Sequence, residues 1–163
     1  MDYTHVHLLL NHFPIVGSLI GTVLLLFGLW KNNISIQKIS LLIIFIMALL
    51  AIPVFLTGEP AEEKVENLPG VMESIIEDHE EASQIAFWFL IAAGVISIIS
   101  FAMQFLLHSS AKTAVLISLL VSITASGLMM RAGYYGGQIR HTEIRKGQAN
   151  IQNVTQPAEQ DED

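Results

Sequence analysis

Histidine and glutamate are the residues of this sequence best able to carry chemistry. The chain has six histidines and no cysteine, so disulfides, thiolate nucleophiles and iron–sulfur ligands are excluded. Imidazole and carboxylate groups suit iron, copper or zinc, and two histidines from different helices can hold haem b. The candidate ligands are His12, Glu59, His79 and His141.

His12 is the most distinctive of these candidates. It precedes Phe13 and Pro14 at the start of a long apolar run, which predicts an imidazole at or below the lipid headgroups. An ionisable group at that depth needs a partner and marks a functional candidate. Pro14 removes one backbone donor and opens the local helix, which suits a site that admits another group. The alternative is an interfacial histidine bonded to a neighbouring carbonyl.

The other candidates also have two interpretations. His79 lies among acids at residues 77–81, which could orient a ligand or simply form a solvated helix start. Glu59 follows Gly58 and could belong to a short helix whose first turn favours acids. His141 could serve a ligand or extend towards lipid headgroups.

The composition indicates which elements position these residues. Only 14% of residues are charged, against about 25% in soluble domains, and the mean hydropathy is +0.55. Four long stretches, residues 13–30, 39–57, 82–107 and 113–130, contain no Asp, Glu, Lys or Arg. Each is long enough to cross a bilayer as a helix. The sequence therefore predicts one all-α membrane domain over residues 1–146, with spans at about 8–30, 39–57, 82–107 and 113–135, and a polar, flexible tail at 147–163.

The links between these stretches predict the topology. The two short links, residues 31–38 and 108–112, contain three lysines and no acid, whereas residues 58–81 contain nine acids and one lysine. Cation-bearing short loops favour the cytoplasm. We expect an antiparallel four-helix bundle in a bacterial inner membrane, with both termini and a partly helical acidic loop outside. This topology places His12, Glu59, His79 and His141 at the outer face.

A small-xxx-small pattern at Gly17 and Gly21 predicts close helix packing. The contact could lie within the bundle or between subunits of a homo-oligomer.

Residues 7–15, HLLLNHFPI, resemble the opening His-Pro-x-x-x-His-Phe-Pro-Ile pattern of a bacterial membrane family catalogued as domain of unknown function 2231. Leu8 stands where that family often has proline. The resemblance implies four spans, an acid closing span two, a histidine opening span three and a Gly-Gly segment closing span four. The matching positions here are Glu59, His79 and Gly136-Gly137. The resemblance supplies no established activity.

Two classes of function follow from these residues. In the first, His12 and His79 bind haem b or a transition metal in electron transfer, with His141 as substitute ligand and Glu59 as a further metal ligand. In the second, a non-catalytic membrane subunit docks a partner, such as a basic soluble electron-transfer protein or another membrane subunit, through its acidic loop. A proton path is a weaker third option. The net charge of −7 argues against nucleic-acid binding, and no motif indicates a stand-alone enzyme.

Overall fold

The computed structural model describes residues 2–141 and 144–145. All regular secondary structure in these residues is helical. The helices are α1 (Tyr3–Leu10), α2 (His12–Trp30), α3 (Ile34–Leu56), α4 (Gly58–Val65), α5 (Glu73–Phe105) and α6 (Ala111–Arg140). Four segments are long and apolar enough to cross a membrane: α1 with α2, α3, α5 and α6. This architecture fits a multi-pass integral membrane protein. The predicted tail at 147–163 lies outside the described residues.

The helices extend beyond the uncharged runs that predicted them. α3 begins at Ile34, where the side chain of Asn33 caps the helix by accepting a hydrogen bond from the Ile36 amide at 3.1 Å. α5 begins at Glu73, well before the run that starts at Ala82. Acids in the first turns of a helix complement its positive end, so they prolong α5 rather than interrupt it.

The break between α1 and α2 has a local cause. Pro14 has no N–H with which to bond the carbonyl of Leu10, four residues earlier. α1 ends at that carbonyl, but Asn11 keeps helical dihedral angles (φ −59°, ψ −30°), so α2 continues in nearly the same direction. α1 packs mainly against α4 and the end of α3.

Glycines allow α2 to lie directly against α3. A Cβ atom at Gly17 would come within 2.1 Å of the Met47 sulfur, and one at Gly21 within 2.8 Å of Ile44 Cγ1. The predicted close contact at this pair is confirmed, and it lies within the chain. On the other side of α3, a Cβ at Gly94 of α5 would come within 2.4 Å of the Ala48 Cβ. Small residues bring helices together where lipid offers no hydrophobic driving force.

The centre of the bundle is apolar, and several buried hydroxyls lie among its helices. Fully buried Leu25, Leu41, Ile44, Leu90 and Val115 belong to one hydrophobic cluster. Two hydroxyl pairs cross between helices: Ser100 with Ser118 at 2.9 Å, joining α5 and α6, and Thr22 with Ser126 at 3.0 Å, joining α2 and α6. These bonds help to fix how α6 is rotated against its neighbours, since most buried hydroxyls form hydrogen bonds.

Candidate functional site

Two half-buried histidines, His7 and His79, occupy one end of the bundle. His7 comes from α1 and contacts the end of α3, whereas His79 comes from the start of α5 and contacts the end of α6. Both rings lie at the end of the bundle where the sequence predicts a site, each bonded to a different helix. The pair differs from the predicted one, because His7 rather than His12 lies beside the bundle.

The inward face of α1 and α2 explains this difference. Pro14, Gly21 and Gly28 are buried and recur every seven residues, and the same spacing extended backwards reaches His7. Residues seven apart lie on nearly the same side of a helix. His12 falls five residues after His7, so it lies off this face and is exposed.

The His7 ring is held by the backbone of α3. Its Nδ1 lies 3.0 Å from the carbonyl oxygen of Val54, and a carbonyl can only accept, so Nδ1 carries the proton. Val54 lies in the last turn of α3, where helical carbonyls lack their usual amide donors. The hydroxyl of Thr57 donates mainly to the Pro53 carbonyl at 2.7 Å and lies 3.1 Å from that of Val54.

His79 is held in the same way by α6. Its Nδ1 donates to the carbonyl oxygen of Ala132 at 2.9 Å, and the Ser83 hydroxyl lies 3.4 Å from both ring nitrogens. Gly136 makes room for the ring, because a Cβ there would lie 3.0 Å from Cε1 and 3.2 Å from Nδ1. The glycines at 136 and 137 predict that another group approaches the backbone closely. They do not indicate that this group is a histidine ring.

The shared geometry has a chemical consequence. With Nδ1 protonated, a neutral imidazole keeps a lone pair on Nε2, which can accept a proton or bind a metal ion. Histidines that bind metals commonly donate their other ring N–H to a backbone carbonyl, which fixes the tautomer and the ring orientation. His7 and His79 both meet this condition.

The remaining predicted ligands are exposed. Glu59 lies in the first turn of α4, and His141 follows the last residue of α6. Among residues 2–141 and 144–145, no three His, Asp or Glu side chains form a group able to hold a metal ion. Glu59 and His141 are thus not assembled with His7 and His79 into such a group in the part that the structure describes.

The chain matches no family model, no curated protein and no solved structure. The chemistry of the site is therefore argued from its own residues and their surroundings.

Exposed acids surround this end of the molecule. We define the acidic face as the exposed carboxylates of α4, the following link and the first turns of α5: Glu59, Glu63, Glu66, Glu73, Glu77, Asp78, Glu80 and Glu81. Lys64 is the single lysine in this stretch, and its ammonium group pairs with Asp2, which lowers the pKa of the Asp2 carboxyl. The acidic face therefore presents a strongly negative surface.

Glu62 sits at the partly buried centre of these acids. Burial, reinforced by the carboxylates of Glu80, Glu66 and Glu59, raises the pKa of the Glu62 carboxyl. Glu80 belongs to α5 and the others to α4 or the link, so the repulsion acts between two elements. At neutral pH this repulsion opposes the packing of α4 near the start of α5.

We expect Glu62→Gln to raise the melting temperature at about pH 7, because the amide removes a carboxylate that its neighbours repel. The folded state binds the Glu62 proton more tightly than the unfolded chain. Proton binding by Glu62 thus stabilises the fold below the ordinary pKa of 4.5. This stabilisation is lost as the pH rises through the raised pKa of the folded state. The increase in melting temperature caused by Glu62→Gln should become smaller as the pH falls towards about 4. Exposed Glu81→Gln is the control, and equal effects of both variants would contradict the prediction.

Arg145 anchors the acidic face to the end of α6. Its side chain is 5% exposed, and its three nitrogens donate to backbone carbonyls of Gln138, Gly70 and Ile139 at 2.7, 2.8 and 2.9 Å. Two of these carbonyls lie in the last turn of α6, where a cation complements the negative end of the helix. Gly70 lies in the link between α4 and α5, so Arg145 fixes that link against α6.

Proposed function

We propose that this chain is an antiparallel four-span protein of a bacterial cytoplasmic membrane, with both termini and the acidic face outside. Contacts between neighbouring helices support the antiparallel order. Gln104 near the end of α5 bonds Gln37 near the start of α3, and Phe55 near the end of α3 stacks on Phe87 of α5. The lysines of the short links support the orientation, since such loops favour the cytoplasm.

Single-cysteine variants test this orientation without background, because the chain has no cysteine of its own. Asn67→Cys, in the exposed acidic link, should react with a membrane-impermeant maleimide in intact cells. Ser109→Cys, in the link between α5 and α6, should react only after the membrane is permeabilised. The reverse pattern would invert the topology, and labelling of both from one side would refute four spans.

The function that the site supports best is transition-metal binding in electron transfer, with the metal held as haem b or as an ion. One observation carries this proposal: His7 and His79 each donate Nδ1–H to a backbone carbonyl, so Nε2 is the unprotonated nitrogen of both rings, with the Ser83 hydroxyl 3.4 Å from that of His79. His7 replaces His12 as the partner of His79, because His12 is exposed and off the inward face.

The number of available imidazoles favours haem. Haem iron takes four ligands from the macrocycle and needs two from the protein, whereas ions such as zinc usually take three or four protein ligands. His7 and His79 supply two. Glu59 and His141 are the proposed additional ligands if a free iron, copper or zinc ion is bound instead.

An absorption spectrum and metal analysis of the purified protein test this function. We expect a Soret band for haem, or a stoichiometric metal without that band for an ion. His7→Ala and His79→Ala should each abolish or shift the signal. His12→Ala should leave it unchanged, as should His108→Ala, whose exposed ring accepts a hydrogen bond from the Ser110 amide. Colourless, metal-free protein from cells supplied with iron and haem precursors would contradict the proposal.

A docking subunit is the second candidate, and the acidic face favours it. Eight exposed carboxylates with one paired lysine suit a basic partner, such as a soluble electron-transfer protein, or a neighbouring membrane subunit. This function requires no bound metal. The spectrum and metal analysis therefore distinguish it from the first candidate.

We also propose membership of the family that the HFPI motif resembles. Two residues of the motif have structural roles that support a shared fold. Pro14 separates α1 from α2. Ile15 packs against Gly133 of α6, where a Cβ would lie 3.0 Å from Ile15 Cδ1. His7 aligns with the first histidine of the family pattern. The histidine that lies beside the bundle is thus part of the resemblance.

A further inference from the structure

Two serine hydroxyls in the middle of the bundle have no hydrogen-bond partner among the described residues. They belong to Ser97 of α5, which is 0% exposed, and Ser122 of α6, which is 1% exposed. Neither serine takes part in the haem or metal site proposed above. A hydroxyl buried without a partner destabilises the folded state, so such groups need an explanation.

The two serines lie along the same seam between α5 and α6. Ser100 and Ser118 define this seam by their hydrogen bond at 2.9 Å. Ser97 precedes Ser100 by nearly one turn, and Ser122 follows Ser118 by just over one turn. Because the two helices pack with their directions opposed, as proposed above, both steps lead the same way along the seam. The two hydroxyls therefore lie on facing sides of one interface.

These two hydroxyls differ from other buried serine hydroxyls in their hydrogen bonding. A serine in a helix can always satisfy its hydroxyl by donating to the carbonyl of the residue four positions earlier. Ser40 donates in this way to Ile36 at 2.7 Å, and Ser100 donates to Ile96 at 2.8 Å. Ser97 and Ser122 make no such bond, although both are fully buried.

We propose that one water molecule is bound between the Ser97 and Ser122 hydroxyls. Buried waters occupy polar sites and typically make about three hydrogen bonds, and two hydroxyls with nearby helix carbonyls provide such a site. On α6, Ser122 stands midway between Ser118 and Ser126, which are paired with Ser100 and Thr22. The water extends this polar seam, which ties α5, α6 and α2 together within an apolar bundle.

Thermal unfolding of the full chain in nanodiscs tests the proposal through Ser97→Ala, Ser122→Ala and the double variant. Each single change removes a ligand of the water and should lower the melting temperature by a few degrees. The double variant should lose less than the sum of the two, because either change alone releases the shared water. Ser40→Ala is the matched control: a fully buried serine whose bond lies within its own helix.

Three results would overturn the proposal. Unchanged or raised melting temperatures would indicate a dry interface from which an unfavourable hydroxyl had been removed. Losses equal to that of Ser40→Ala, and strictly additive, would indicate that each hydroxyl bonds to its own helix. A high-resolution density map without a peak in hydrogen-bonding distance of both oxygens would exclude the water directly. Haem or metal content should not change in these variants, so this test is separate from that of the proposed function.

Discussion

Gly94→Leu is expected to lose most of its folded population in detergent. A Cβ at this position would lie 2.4 Å from the Cβ of Ala48, and backbone lies just behind it, with Phe45 Cα at 3.7 Å. Neither neighbour is the end of a flexible side chain, so α5 and α3 must move apart. Overpacking of this kind costs about 3 kcal/mol, and the melting temperature should fall accordingly.

Gly127→Leu provides the matched control. Gly127 also lies within a long helix, α6, but a Cβ there would have nothing within 4 Å, and the residue is exposed. We expect this variant to unfold at nearly the temperature of the wild type. Equal melting temperatures for the Gly94 and Gly127 variants would show that α3 and α5 do not approach as closely as described.

Gly136→Leu is expected to displace the ring of His79 and break its bond to the Ala132 carbonyl. A Cβ at position 136 would lie within 3.2 Å of both Cε1 and Nδ1, so the ring must shift for the Cβ alone, and the remaining atoms of leucine require a larger displacement. Loss of a partner for a buried polar group costs about 1–3 kcal/mol. The ring nitrogen signals of His79 in NMR spectra should report the loss of the fixed tautomer.

The neighbouring glycine is the control for this second variant. At Gly137, a Cβ would lie 3.8 Å from Ile144 Cδ1, an ordinary contact. Gly137→Leu should therefore leave the His79 signals unchanged. If both variants shift those signals equally, the effect comes from the end of α6 as a whole and not from contact with the ring.

The four long helices follow from composition, because a bilayer core accepts uncharged helical runs of about 20 residues and little else. The sequence also contains a signal for the position of His7. Pro14, Gly21 and Gly28 share a seven-residue spacing that places small or rigid residues on one face, and His7 continues it. The same periodicity places exposed His12 off that face. Burial on a helix is decided by periodicity more than by the residue type or its depth.

The partners of the two rings could not be predicted in the same way. His7 and His79 bond to backbone carbonyls of Val54 and Ala132, and every residue has a carbonyl. Which carbonyl is accessible depends on where α3 ends and how closely α5 approaches α6. Three-dimensional packing sets both, and no side-chain motif encodes them. Arg145 is a similar case, because all three of its observed acceptors are main-chain oxygens.

The length of α5 has an electrostatic consequence. Its 33 residues span about 50 Å, whereas the hydrocarbon core is about 30 Å thick, so several turns extend into water. The extending turns include part of the acidic face, which generates a negative surface potential within about 10 Å, the Debye length at 0.1 M salt. Protons and other cations will be more concentrated there than in bulk solution. Any titration or metal binding measured at this end should therefore shift with ionic strength, even when the bulk pH and metal concentration are held constant.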